Sequence, residues 1–89
     1  MQKSKVVQIQ NLCGLHARPS ASFVKIASGF KSDIFLSNDN DEVNAKSIIG
    51  VLMLSASKGT NLTITADGPD ADDALESLEL LVNNKFGED

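Results

Sequence analysis

Residues 61–66, Asn-Leu-Thr-Ile-Thr-Ala, alternate apolar and polar side chains without a break. That alternation puts Leu62, Ile64 and Ala66 on one face of a strand, and Thr63 and Thr65 on the other. A strand with one greasy face needs a second layer over it, and the rest of the chain must supply both the neighbouring strands and the cover. Val7 and Ile9 alternate in the same way within residues 4–10. Residues 33–37 and 42–45 read as two more strands, joined through the turn formers Asn38-Asp39-Asn40-Asp41.

Three stretches carry helical spacing instead. In residues 17–28, Ser20, Phe23, Ala27 and, just beyond the helix, Phe30 recur at steps of three and four, while Ser22 and Lys25 face away; Gly29 reads as the stop. Residues 48–54 are apolar nearly all round. Ser47 is a preferred N-cap for them, and Gly50 weakens the helix by up to ~1 kcal/mol relative to Ala. Such a helix must bury one face and leave apolar side chains on the other: Val51 and Leu54 are expected inward, Ile48 and Leu52 partly exposed. After the turn Asp67-Gly68-Pro69, residues 71–82 place Ala71, Ala74, Leu75, Leu78, Leu81 and Val82 opposite Asp72, Glu76 and Glu79. Asp70 is expected to cap this helix, with Asp73 completing an approximate capping box. Residues 83–89 are expected to be loose. The order βαββαβα predicts an α+β fold: a four-stranded antiparallel sheet covered on one face by three helices.

The 89 residues suffice for one core and one domain, residues 1–89. No apolar run approaches the ~18–20 residues that span a bilayer, so no membrane insertion is expected. The first residues lead into no long apolar stretch, so a signal peptide is not expected either. The one cysteine, Cys13, cannot form an internal disulfide and reads as a reduced, partly buried thiol; the cytoplasm is the expected compartment. The net charge is −4, no basic cluster exists, and Trp and Tyr are absent, which disfavours a nucleic-acid partner. Cys13 and His16 are the whole Cys and His complement, too few for a zinc site, and the acids of residues 39–42 lack the spacing of a calcium loop. Neither a metal nor a cofactor is expected.

The charge is uneven. Residues 1–32 contain no acid, and within them residues 14–20, Gly-Leu-His-Ala-Arg-Pro-Ser, hold the chain's only histidine and only arginine. A Gly before and a Pro just inside a helix start mark a turn feeding a helix N-terminus, whose unpaired N–H groups favour an anion. A histidine there has a bland reading, a structural or surface residue, and a functional one. In the second, neutral His16 is a nucleophile near neutral pH, and a phosphoryl group on it meets the backbone N–H groups of Ala17 and Arg18 and the Arg18 guanidinium. A small hydrolase with His16 as general base is disfavoured, because no second acid–base partner lies near the motif.

Residues 14–19 resemble the active-site signature of the HPr family, the histidine phosphocarriers of the bacterial phosphotransferase system. Residues 46–51, Lys-Ser-Ile-Ile-Gly-Val, resemble that family's second signature, around its regulatory serine. The resemblance covers nearly the whole chain and implies an open-faced sandwich fold. It implies that His16 accepts at Nδ1 a phosphoryl group that Enzyme I draws from phosphoenolpyruvate, with Arg18 steadying it. The group then passes to a IIA-type acceptor in sugar uptake, so the chain is a stoichiometric carrier and not by itself a turnover enzyme. Ile48, Ile49, Leu52 and Met53, with Ala17 and Ala21, would form the docking patch. Ser47 would be a site for HPr kinase/phosphorylase, with a transcriptional regulator as a further partner. Residues 52–54, Gly68-Pro69 and the Phe86-Gly87-Glu88-Asp89 ending resemble instead the nitrogen-related branch, NPr, with the same chemistry at His16. A regulatory binding module acting through Ser47 is the other alternative.

Overall fold

The computed structural model describes residues 2–88. Its elements are β1 (Gln2–Gln8), α1 (Ala17–Ser28), β2 (Asp33–Ser37), β3 (Glu42–Asn44), α2 (Ile48–Met53), β4 (Asn61–Asp67) and α3 (Ala71–Asn83), followed by a 3₁₀ turn, Lys85–Gly87. The strands form one antiparallel sheet in the order β1-β4-β2-β3, so the strand with the cleanest alternation lies inside it. Leu62 stands opposite Val7, and Ile64 lies between Lys5 on one side and Leu36 on the other.

The helices cover the face that carries Val7, Ile34, Leu36, Leu62 and Ile64, all buried, and contribute Phe23, Ala27, Val51, Leu75, Leu78 and Val82 to the same core. The α+β order expected from the apolar periods is therefore the observed one. β1 starts earlier than expected and stops at Gln8. Ile9 still pairs, accepting from the Gly59 N–H at 2.7 Å and donating to the Thr60 carbonyl at 2.9 Å. Phe30 packs against the core half-buried, while Pro19 joins the buried side of α1. Val51 and Leu54 point inward and Ile48 and Leu52 are exposed, as the greasy helix required.

Three expectations are corrected. Cys13 is exposed, because the loop ahead of α1 turns it to solvent while Leu15 takes the buried position. Asp70 stands at the start of α3 but its side chain does not cap the helix, and Asp73 forms no capping box. The carboxylate instead accepts from the backbone N–H of Lys31 at 2.8 Å, the N–H of Ser32 at 2.9 Å and the Ser32 hydroxyl at 2.5 Å. Three donors from the α1–β2 connection outcompete the one that a cap offers, and they tie the two loops together. Residues 83–88 are not loose: α3 runs to Asn83, and the turn after it buries Phe86. Asp89 lies outside the described residues.

The Ser32 hydroxyl and the Lys31 N–H hold the Asp70 carboxyl down at about 2, against its ordinary 3.8. A depressed folded-state value makes the anion stabilising above the ordinary value, and the stabilisation disappears as pH falls through the depressed one. Asp70→Ala is therefore expected to melt below the native protein at pH 7. In thermal melts by circular dichroism, the gap closes as pH drops from about 4 to about 2.

Candidate functional site

The site is built on a turn that only glycine can make. Gly14 has φ +66, and a Cβ there would collide with the Ala56 carbonyl oxygen. The close approach lets the Leu15 N–H donate to that same oxygen at 2.8 Å. Buried Asn11 fixes the turn from the other side, donating through Nδ2 to the Gly14 carbonyl at 2.7 Å. The chain leaves the turn through buried Leu15 and enters α1 with His16 at the N-cap in extended conformation. Ser20, also buried, donates through Oγ to the Leu15 carbonyl at 3.2 Å, and its N–H donates to the His16 carbonyl at 3.0 Å.

The first turn of α1 therefore has two backbone donors without partners among the described residues, the N–H groups of Ala17 and Arg18. Pro19 has none to offer, so the ring costs the helix nothing. The side chain of His16 is 40% exposed and that of Arg18 is 79% exposed.

Glu88 is the residue that the sequence did not announce. Lys85, Phe86 and Gly87 all have positive φ, which bends the chain after α3 back toward the start of α1, with Phe86 as the buried anchor. The Glu88 carboxylate then meets Nε2 of His16 at 2.9 Å through Oε2 and 3.2 Å through Oε1. It also accepts from Asn11 Nδ2 at 3.1 Å and lies 3.7 Å from Arg18 Nε. Partial desolvation is the largest single influence on this carboxyl and pushes it up. Hydrogen bonds from His16 and Asn11, with the charges of His16 and Arg18, outweigh it and leave the carboxyl below its ordinary range. An acid partner, absent from the sequence around His16, is thus delivered from the far end of the chain. Nδ1 of His16 makes no hydrogen bond among the described residues.

The other candidates lie on α1 and on α2, which packs beside it. Ala17 and Ala21 are exposed on α1, and Ile48, Ile49, Leu52 and Met53 are exposed on α2, with Ile49 and Met53 about 70% open. Ser47 caps α2, its Oγ accepting from the Gly50 N–H at 3.2 Å. No hydrogen bond or ion pair links Ser47 to His16 among the described residues. Nor do three His, Cys, Asp or Glu side chains cluster there in a way that would hold a metal.

Residues 3–84 match the family model described as the PTS HPr component phosphorylation site. The chain belongs to the HPr family. It is 46% identical to the phosphocarrier protein HPr of Treponema pallidum, over 96% of this chain and 97% of that one. It is 37% identical to the phosphocarrier protein NPr of Escherichia coli over the full length of both. The crystal structure of HPr-C-His from Thermoanaerobacter tengcongensis superposes with a TM-score of 0.94 at 45% identity, covering 98% of each chain. The HPr-family reading and the open-faced sandwich hold, and the chain is a phosphocarrier-family component of the phosphotransferase system. No helix among the described residues is long and apolar enough to cross a membrane.

The Gly14 turn carries a prediction. Gly14→Ala adds a backbone collision to the left-handed penalty. Gly59→Ala, at φ +91 with open space around the new methyl, meets the penalty alone. Urea denaturation is expected to read a loss of ~3 kcal/mol or more for the first and ~1–2 kcal/mol for the second.

Proposed function

We propose that the chain carries a phosphoryl group on His16, taking it from Enzyme I and passing it to a IIA-type acceptor. The observation that carries this reading is the unbonded Nδ1 of an N-cap histidine beside two free backbone N–H groups and an exposed guanidinium. A phosphoryl group on nitrogen brings roughly two negative charges at neutral pH. The N–H groups of Ala17 and Arg18 point along the positive end of α1, and Arg18 is held only loosely by Glu88, so it is free to turn to the phosphate. Each dipole contribution is ~0.3–1 kcal/mol, modest enough for the group to move on.

Transfer between two histidines depends on positioning: the rings approach in line, in a contact that excludes water. The exposed apolar residues of α2, with Ala17 and Ala21, supply a surface suited to such a contact. Higher identity to HPr relatives than to NPr supports the sugar branch over the nitrogen branch. Ser47 fits regulation by HPr kinase/phosphorylase as well as capping. A phosphate on its hydroxyl would sit at the N-terminus of α2, where it is tolerated, and would put charge at the edge of the apolar surface.

Incubation with Enzyme I from the same organism and phosphoenolpyruvate should add one acid-labile phosphate per chain, and His16→Ala should abolish the uptake. Absence of uptake by the native protein would sink the reading. Ile49→Asp places a charge in the docking surface and is expected to slow uptake about fivefold or more, while leaving the circular dichroism melt close to native.

A further inference from the structure

Glu88 lies beyond the residues 3–84 that match the family, and the carrier reading gives it no part in the transfer. Its carboxylate nonetheless covers Nε2 of His16 with both oxygens. An ionised carboxylate only accepts hydrogen bonds, and this one is held in its ionised form below the ordinary range. The ring nitrogen facing it must therefore carry a proton. In a neutral imidazole the other nitrogen, here Nδ1, then holds the lone pair.

We propose that Glu88 is a positioning residue for His16: it keeps the ring proton on Nε2 and leaves the lone pair at Nδ1 for phosphoryl transfer. This rests on the carrier reading. In the forward step the Nδ1 lone pair forms a bond to phosphorus. The bond from phosphorus to the donor's histidine nitrogen breaks, and its electron pair leaves with the donor. The proton stays on Nε2, so the phosphorylated ring is positively charged and sits against the Glu88 carboxylate. In the onward step the N–P electron pair returns to Nδ1 and the ring is neutral again. No proton moves in either direction, and the carboxylate balances the positive charge that the ring gains.

The support for Glu88 is specific to this role. Asn11 holds Oε1 with the same amide nitrogen that holds the Gly14 carbonyl, so the carboxylate and the turn that places His16 share one anchor. Buried Phe86 fixes the turn from which Glu88 extends, and the Glu88 side chain is only 13% exposed. The charged groups that meet at the ring are Glu88 and, through the same carboxylate oxygen, Arg18 of α1 at 3.7 Å, too far to neutralise the acceptor.

The test uses the full chain, with ring-nitrogen NMR of ¹⁵N-histidine-labelled protein at pH 8 and phosphate uptake from Enzyme I measured in parallel. The native His16 ring is expected in the Nε2–H form, with Nδ1 giving an unprotonated signal. Glu88→Ala should move the ring toward a mixture of tautomers and slow uptake about two- to fivefold, the range of an exposed ion pair. Glu88→Gln, whose amide oxygen still accepts from Nε2–H, should restore the tautomer but not the full rate, because it lacks the charge. Backbone amide spectra report whether the fold is kept in each variant. Ring signals that are the same in the native protein and Glu88→Ala would overturn the positioning role, whatever the uptake. A native protein that takes up no phosphate fails the carrier reading instead, whatever the ring does.

Discussion

The approach of Gly14 to the Ala56 carbonyl, with no side chain between them, is the contact on which the His16 corner depends. It brings the loop ahead of α1 against the loop ahead of β4 and joins them through the Leu15 N–H. Leu15 is driven into the core by that contact, and the next residue is driven out. His16 is exposed for this reason and not because histidine favours solvent. Its neighbours in sequence inherit the arrangement: Ala17 and Arg18 fall in the first turn, where their N–H groups find no carbonyl, and Pro19 and Ser20 fall on the buried side. A single backbone dihedral of the kind that glycine tolerates thus sets which of the six side chains that follow face solvent.

A second constraint is electrostatic, and it is centred on Asn11. Its amide nitrogen is shared between the Gly14 carbonyl and the Glu88 carboxylate, while its Oδ1 is buried without a partner among the described residues. Leaving a buried acceptor unpaired costs about 1–3 kcal/mol. Rotating the amide would not help, since it would set Oδ1 against a carbonyl and a carboxylate. The residue is held in the orientation that serves the turn and the carboxylate together, at the expense of its own oxygen.

The strands and helices were legible because their apolar periods are clean, as at Leu62, Ile64 and Ala66. The positions of His16, Arg18 and Ser47 at helix starts were legible too, marked by Gly, Pro or a capping hydroxyl. Asp70 departs from the capping expectation because capping rules consider one helix at a time. The N–H groups of Lys31 and Ser32 that outbid the cap come from a loop brought close only by the fold. Glu88 was invisible for the same reason, at a separation of 72 residues from His16. The one available signal was Phe86, a large apolar side chain in a stretch otherwise polar, which argues that residues after α3 return to the core.

Gly50 shows how the same packing logic shapes the second half of the surface. A glycine inside a six-residue helix weakens it, yet a Cβ at Gly50 would lie 3.2 Å from the Val43 side chain. The close fit presses α2 onto β3, so that Val51 and Leu54 reach the core with a single turn and a half of helix to do it. A helix so short has no room to alternate apolar and polar faces and still fill the core. With its inner face committed, its outer face stays apolar, and Ile49 and Met53 remain in water. Isolated helices of this length do not persist, so the Ser47 cap and the Val43 contact are what hold this exposed apolar surface in place.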